Sequence, residues 1–276
     1  MEKKTSKHRI LILGASGFLG GALYKELYPY FNTYGTYNTD SSFYEKNHQF
    51  FQYNFEEDDI YEILESVKPT VIISALRGDF AAQFIAHKHL SEYVLTQKIK
   101  FIFLSSANVF DAYSKYPSYE EDKTLSPSIY GHFKIKIENM LLRLPKKYVA
   151  ILRLPMVFGV QSPRVQELIT HVKEKTPIEV FPNLIMNVTT ESKVTQQIHY
   201  IINQNKKGVF HLGSTDLVHH DDFIKDIINT LGLKKAIYKR VYTTNDDRYL
   251  AVLPKYNLLP KNLQILSQEI LTELEI

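Results

Sequence analysis

The sequence predicts a doubly wound α/β fold: a parallel sheet with helices on both faces, followed by a smaller C-terminal α/β lobe. Short apolar runs, typical of buried parallel strands, alternate with helical segments through the first half of the chain. A glycine-rich turn directly follows the first apolar run, and the pattern becomes looser and richer in proline after Phe158-Gly159. We therefore expect two closely packed domains, residues 1–158 and 159–276, with some segments of the second returning to the first.

Each element of this fold has its own signal. Apolar runs predict strands at residues 10–13, 33–37, 49–53, 70–74, 100–104 and 149–152. Helical periodicity predicts helices at residues 18–28, 58–66, 80–97 and about 127–144. Pro29 ends the first helix, while Ser126 and Pro127 are predicted as the N-cap and first residue of the last. This alternation requires right-handed crossovers between parallel strands.

The composition narrows the class of function. The 276 residues include 33 basic and 30 acidic side chains, and a net charge of +3 is too small for a nucleic-acid-binding surface. The absence of cysteine excludes disulfides and thiolate chemistry and fits a reducing compartment. A small-molecule substrate is the better expectation.

The N-terminus imitates a signal peptide, because a basic segment at residues 2–9 precedes an uncharged stretch at 10–24. Four glycines interrupt that stretch, however, and no segment reaches the roughly 18 apolar residues that a membrane span requires. The sequence thus predicts a cytoplasmic protein that has no membrane partner.

A glycine comb with the spacing G-x-x-G-x-x-G lies between the first strand and the first helix, at residues 14–20. In this setting glycines allow a pyrophosphate to approach a helix N-terminus, whose backbone amides then bind the phosphate oxygens. A tight turn that needs glycine dihedrals is the structural alternative. The predicted phosphate-binding residues are Gly14, Ser16, Gly17, Phe18, Leu19 and Gly20.

The residue expected to contact the cofactor ribose is neutral. The second strand should end near Asn38, where an acidic side chain would bind the ribose hydroxyls of NAD. Asp40 follows two residues later and keeps NAD open as an alternative. No arginine stands there to hold a 2′-phosphate, but the missing acid favours NADP(H).

Tyr130 and Lys134 lie four residues apart and would share one face of the predicted helix. A nearby ammonium would stabilise the phenolate of a tyrosine whose ordinary pKa is about 10. Tyr119 and Lys123 have the same spacing, but they lie in a stretch bounded by prolines rather than in an apolar-periodic run. The serine pair Ser105-Ser106 ends a strand at the carboxyl edge of the sheet, where ligands of open parallel sheets bind.

These motifs together resemble the extended short-chain dehydrogenases/reductases, most closely their dTDP-4-dehydrorhamnose reductase branch. Five segments match in order: the comb at 14–20, residues 106–111, the Tyr-x-x-x-Lys-x-x-x-Glu run at 130–138, residues 152–159 and residues 208–212. The resemblance implies a Rossmann domain with a C-terminal substrate lobe, and a catalytic set of Ser106, Tyr130 and Lys134. It implies a cofactor site lined by Ser74, Ala75, Leu76, Ser105, Tyr130 and Lys134, with Asn38, Asn54 and Phe55 at its adenosine end and Pro155 at its nicotinamide end.

The resemblance implies a reductase that uses NADP(H) to convert the keto group of a nucleotide-activated sugar into an alcohol; a homodimer is compatible with it. Three positions depart from the family pattern: Gln83 replaces an asparagine, Phe133 a small hydroxyl residue and Ala112 a glycine. Two alternatives remain open. One is epimerase or dehydratase chemistry, although Ala107-Asn108 lacks the acidic pair usual in dehydratases. The other is a non-catalytic regulatory subunit, as in methionine adenosyltransferase, because a fold does not determine function.

Two further features could be functional sites or ordinary parts of the structure. The segment at residues 219–222, two histidines followed by two aspartates, could bind a metal, but acids at the start of a helix suit the helix dipole, and we predict a helix from Phe223 and no metal site. Arg77 follows a predicted strand end and could face a substrate phosphate or form a surface ion pair.

Overall fold

The computed structural model describes residues 8–39, 44, 46–112 and 115–275. The strands of the main sheet and of the C-terminal part are β1 Arg9–Leu13, β2 Asn32–Tyr37, β3 Phe50–Gln52, β4 Val71–Ser74, β5 Lys100–Ser106, β6 Val149–Leu154, β7 Met156–Phe158, β8 Ile178–Val180, β9 Leu184–Met186, β10 Val188–Thr190, β11 Gly208–His211, β12 Val218–His219, β13 Tyr238–Arg240 and β14 Arg248–Leu250. The helices are α1 Phe18–Leu27, α2 Ile60–Val67, α3 Phe80–Gln97, α4 Ile129–Leu141, α5 Pro163–Glu174, α6 Glu191–Asn203, α7 His220–Thr230 and α8 Ser267–Leu274.

The main sheet has seven strands in the order β11-β6-β5-β4-β1-β2-β3. β1 pairs in parallel with β2 and β4, and the same holds for β2 with β3 and for β4 with β5. Strand order reverses direction at β1, which is the mark of a doubly wound sheet and places a ligand crevice at the carboxyl ends of β1 and β4. The predicted fold class is confirmed.

The core of this sheet explains why its first strand is an unbroken apolar run. Residues 10–13 of β1 are all 0% exposed because helices cover both faces of the central strand. On one face, Leu11 joins Phe101, Ile137 and Leu90 in a single apolar cluster that includes α2, α3 and α4. Full burial of each such side chain stabilises the fold by roughly 1.5–3 kcal/mol.

The described chain divides into two compact units that interleave along the sequence. The first consists of the described residues up to Ser105 with Phe133–Leu152 and Ile198–Val209, and the second of Ser106–His132, Arg153–Gln197 and the chain from Phe210 onward. The second unit has its own core, which contains Phe158, Val188 and Ile224. The domain boundary at residue 158 stays a prediction. Nothing in the amino-acid composition indicates that residues 106–132 belong to the second unit.

The helix that carries Tyr130 begins later and ends earlier than expected. The prediction of Ser126 as its N-cap was wrong: the Ser128 hydroxyl accepts the Gly131 amide at 3.0 Å, and α4 starts at Ile129. Ser126 instead accepts the Ser128 amide at 3.2 Å, so its hydroxyl stabilises the turn before the helix. At the other end, Leu144 N–H bonds to Leu141 O, three residues back, so a tighter turn replaces the last α-helical turn.

Three helices end at a lysine in the left-handed conformation, a position that glycine usually occupies. These residues are Lys68 after α2, Lys98 after α3 and Lys175 after α5, with φ of 48°, 56° and 56°. A side chain in this conformation costs about 1 kcal/mol, which the favourable contact of a cation with the helix C-terminus partly offsets. In the part of the chain that the structure describes, no helix is long and apolar enough to span a membrane.

Candidate active site

The glycine comb needs glycine at two positions for steric reasons. Gly14 has φ +79°, and a Cβ there would lie 2.9 Å from the Ala75 carbonyl oxygen. A Cβ on Gly20 would overlap the Gly14 carbonyl oxygen. Thr36 anchors the same turn, because its hydroxyl accepts the Gly14 amide at 2.9 Å and its carbonyl accepts the Ser16 amide at 3.3 Å.

The N-terminus of α1 is shaped to hold an anion. Gly17 is its N-cap and makes no side-chain capping hydrogen bond, so the amides of the first turn, at Phe18, Leu19 and Gly20, are not capped by it. The lack of a Cβ at Gly20 lets the turn pack tightly against the helix. These residues therefore fit the pyrophosphate of a dinucleotide.

The register of the sheet places a second predicted cofactor segment beside the comb. Leu13 pairs with Ser74 across β1 and β4, and the Ala75 amide donates to the Leu13 carbonyl at 3.0 Å. Residues 74–76 therefore lie next to the comb, as two neighbouring carboxyl strand ends should. Ser74 is 2% exposed and Leu76 9%, so these side chains pack into the first unit while Ala75 approaches Gly14.

The residues predicted at the adenosine end occupy separate turns. Asn38 is exposed directly after β2, whereas Asp40 lies outside the described residues. Phe55 packs on Gly78, since a Cβ on Gly78 would lie 2.8 Å from the Phe55 ring. The Asn54 side-chain oxygen accepts a backbone amide two residues on, so it stabilises its own turn.

Lys134 is buried behind the ends of β4 and β5. Its ammonium donates to the Leu104 carbonyl at 3.0 Å and lies 4.7 Å from the centre of the Phe103 ring. Burial lowers the pKa of Lys134 to about 8; the Glu138 carboxylate opposes this shift and the Arg77 guanidinium adds to it. The side chain is still mainly protonated at neutral pH, as the predicted role requires.

The two serines at the end of β5 have different partners. In the first unit the Ser105 hydroxyl donates to Glu138, four residues beyond Lys134 on α4. In the second unit Ser106 caps a 3-10 turn at Ala107–Phe110: its hydroxyl accepts the Asn108 amide at 3.2 Å and donates to Asn108 Oδ1 at 2.9 Å. Ser106 thus caps a turn, while its catalytic role and the cofactor role of Ser105 stay predictions.

Tyr130 lies in the first turn of α4, and its side chain is 40% exposed. The next residue, Gly131, seats the helix against the turn that begins at Ser106, because a Cβ there would overlap the Asn108 carbonyl oxygen and the Ser126 hydroxyl. Tyr130 and the Ser106 turn therefore belong to one packed unit. Lys134 follows one helical turn later, on the same face of α4.

The second tyrosine–lysine match lacks this setting. Tyr119 lies in a turn, where its amide donates to Asp122 Oδ2 at 2.7 Å, and neither Tyr119 nor Lys123 is helical. The context of the two matches, rather than their spacing, separates them.

Two departures from the family pattern have structural roles. The Gln83 amide nitrogen donates to the Gly78 carbonyl at 2.9 Å and braces the loop after β4. Phe133 is 7% exposed and stacks on Phe80, with ring centres 4.7 Å apart and planes 12° apart. Phe133 therefore belongs to the core beneath α4.

The remaining candidates divide between core and surface. Pro155 is buried in the second unit beside Gly213, and its cofactor role stays a prediction; Arg77 is exposed. The helix predicted from Phe223 starts three residues earlier, at His220, with Asp221 in its first turn and bonded to Lys225 at 2.7 Å. Within the described residues, no three His, Asp or Glu side chains are arranged to hold a metal ion.

Four residues of the site make contacts that the sequence did not predict: Thr36 and His87 carried no individual signal, and Glu138 and Asn108 appeared only within family motifs. Thr36 anchors the comb, Glu138 binds Ser105 and Asn108 binds Ser106, while His87 is fully buried against Ser74. Gln83 and His87 are one helical turn apart, and this spacing indicates that both lie on the face of α3 that packs on the sheet.

Comparison with known proteins finds one matching family model and several similar structures. The family model described as the RmlD substrate binding domain matches residues 8–262. The dTDP-4-dehydrorhamnose reductase of Yersinia enterocolitica is 19% identical, covers 97% of this chain and 99% of its own, and superposes with a TM-score of 0.77. The dTDP-4-dehydrorhamnose reductase of Bacillus anthracis str. Ames, solved in complex with NADP, is 20% identical over 98% and 99% of the two chains, with a TM-score of 0.75.

One relative is named as a subunit of a different enzyme. Methionine adenosyltransferase 2 subunit beta of Mus musculus is 24% identical over 235 residues, which are 76% of this chain and 68% of that protein. The structural likenesses, all below 25% identity, show the fold. Because the family model spans most of the 276 residues, the chain belongs to the RmlD substrate binding domain family.

Proposed function

We propose that the protein is an NADPH-dependent reductase of a nucleotide-activated keto sugar. The observation that carries this proposal is the start of α4, where Gly131 seats the Tyr130 turn directly on the Ser106 turn, one helical turn before the buried Lys134. Hydride reduction of a ketone needs a proton for the oxygen, and a carbonyl-orienting hydroxyl and a nearby cation are groups by which a protein can assist that transfer. The reductase of Bacillus anthracis, solved with NADP, supports the choice of cofactor.

Each group would have a distinct role. Bound NADPH would supply the hydride that adds to the keto carbon. The Tyr130 phenol donates its proton to the keto oxygen and becomes a phenolate, which the Lys134 ammonium stabilises until solvent returns the proton. The Ser106 hydroxyl turns from Asn108 Oδ1 to donate to the same oxygen, so substrate replaces a hydrogen bond that the protein already makes.

The cofactor would be held mainly by the first unit. The amides at the start of α1 would bind its pyrophosphate, and residues 74–76 would line its path along the sheet edge. A neutral Asn38 after β2 leaves room for the 2′-phosphate of NADPH, with NAD as the alternative.

The proposal is tested with purified protein, NADPH and a dTDP-4-keto sugar. We expect NADPH to be oxidised and a dTDP-sugar alcohol to form in equal amounts. Epimerised or dehydrated product without net NADPH oxidation would replace the reductase with the alternative chemistries. The match to a methionine adenosyltransferase subunit supports a second candidate, a cofactor-binding subunit. Tight NADPH binding with no turnover on a panel of keto sugars would favour that candidate.

The rate of reduction should fall as pH rises above about 8, because Lys134 then loses the proton that stabilises the Tyr130 phenolate. Arg77→Gln removes a like charge that lowers the Lys134 pKa, so the alkaline limb of the kcat/KM profile should move to higher pH. Lys88→Gln, which removes an exposed charge of α3, is the control and should leave the limb in place. An unmoved limb in Arg77→Gln would contradict the assignment to Lys134.

The free energy of unfolding should rise with pH over the range in which the rate of reduction falls. The folded pKa of Lys134 lies below its ordinary 10.5, so the folded state binds fewer protons between the two values. The destabilisation caused by burying this charge is present below pH about 8 and is relieved as pH rises towards 10.5.

A further inference from the structure

His87 is a buried, titratable group that the proposed reaction does not use. Its ring is 0% exposed on the sheet-facing side of α3. Nε2 lies 2.9 Å from the Ser74 hydroxyl, and Nδ1 lies 2.6 Å from the Gln83 carbonyl oxygen, one turn earlier on the same helix. Ser74 in turn ends β4, directly beside the comb.

These two contacts determine which ring nitrogen carries the proton. A backbone carbonyl can only accept, so Nδ1 must be the N–H that donates to Gln83. Burial, with a smaller contribution from the Lys134 ammonium, lowers the pKa of His87 to about 4, although the hydrogen bond to the Gln83 carbonyl opposes the shift; the ring is therefore neutral and Nε2 has only a lone pair. The Ser74 hydroxyl must therefore donate to Nε2.

A second contact links His87 to Lys134. The His87 ring meets the Phe103 ring edge-on, with centres 5.2 Å apart and planes 83° apart, and the Lys134 ammonium lies 4.7 Å from the same ring centre. Phe103 also pairs with Ser74 across β4 and β5. The imidazole is therefore packed against the aromatic ring that carries the ammonium.

We propose that His87 is a positioning residue that holds the carboxyl end of β4 beside the comb through Ser74 and packs Phe103 under Lys134. The hydrogen bond that Ser74 donates to His87 fixes this strand end, and with it the Ala75 backbone next to Gly14, in the position that receives the dinucleotide. The inference rests on the proposed function only through cofactor binding, which can be measured without substrate.

The test uses variants that each keep only one of the two hydrogen bonds that His87 makes. His87→Gln retains an acceptor that reaches Ser74, His87→Asn retains only a donor for the Gln83 carbonyl, and Ser74→Ala removes the hydroxyl itself. His89→Asn, two residues further along α3, is the matched control because its ring contacts Tyr61 instead. The dissociation constant for NADPH is measured by fluorescence titration, and the His87 tautomer by ¹⁵N NMR of the protein without cofactor.

We expect His87→Asn and Ser74→Ala each to weaken NADPH binding about tenfold, the effect of one lost hydrogen bond in a buried site. The double variant should be no weaker than either single variant, because both remove the same interaction. His87→Gln should restore most of the affinity, and the NMR signal should show a neutral ring protonated at Nδ1. In turnover, the change should fall on the KM for NADPH more than on kcat.

Several results would overturn the inference. They are wild-type affinity in His87→Asn with reduced thermal stability alone, additive effects in the double variant, or a ring protonated at Nε2. Wild-type protein that binds NADPH but reduces no keto sugar would refute the proposed function while the binding data still decide the role of His87. Failure of the wild type to bind NADPH or NADH would refute both.

Discussion

Tyr130→Phe is expected to lower kcat for keto-sugar reduction by about a thousandfold, within the range contributed by a positioned general acid. The variant removes only the phenolic oxygen, and the Tyr130 ring is 40% exposed, so little packing is lost. The amides at the start of α1 and the segment 74–76 are untouched, and NADPH affinity should stay near the wild-type value. Steady-state rates and a binding titration on the same preparation measure the two effects separately.

The chain contains its own control for this experiment. Tyr119→Phe alters the other tyrosine that precedes a lysine by four residues, but Tyr119 lies in a turn outside any helix. Its kcat should stay within about twofold of wild type, as expected for a change at an exposed side chain. Equal losses in both variants, or a fully active Tyr130→Phe, would remove Tyr130 from the proposed mechanism.

Gly20→Ala is expected to weaken NADPH binding at least a hundredfold and to destabilise the fold by about 3 kcal/mol. The added Cβ would overlap the Gly14 carbonyl oxygen, so the comb must move away from α1. That movement displaces the amides proposed to hold the pyrophosphate. A cofactor titration and a denaturant unfolding curve provide the two measurements.

The neighbouring glycine is the matched control. In Gly21→Ala the new Cβ would lie 3.4 Å from the Ala15 carbonyl oxygen, an ordinary contact, and alanine favours a helix interior over glycine by about 1 kcal/mol. This variant should therefore bind NADPH normally and be at least as stable as wild type. Normal cofactor binding by Gly20→Ala would show that the comb is only a structural turn.

The sheet and the comb could be predicted because their signals are local. A strand buried on both faces, such as β1, has to be apolar throughout, and a turn with Gly14 at positive φ and Gly20 under a carbonyl has to contain glycine. The pairing of Tyr130 with Lys134 is local for the same reason, since one helical turn separates them. These features depend on residues that are neighbours in sequence.

The features that were missed depend on residues far apart in sequence. Thr36 reaches the comb across 22 positions, and Ser105 reaches Glu138 across 33, and no periodicity encodes such distances. The predicted cap of α4 was wrong for a different reason: Ser126 and Ser128 are equally good capping residues by type, and the sequence does not show which hydroxyl accepts the Gly131 amide. The stacking of Phe133 on Phe80 joins residues 53 positions apart and likewise had no local signal.

The lysines that end α2, α3 and α5 show where this chain tolerates strain. Glycine is retained at Gly14, Gly20 and Gly131, where a side chain would collide, while Lys68, Lys98 and Lys175 hold a left-handed backbone that glycine would adopt freely. Replacement by glycine should therefore recover part of the roughly 1 kcal/mol that each of these left-handed lysines costs. Stabilising these three helix ends could therefore compensate for the stability lost in variants of the proposed site.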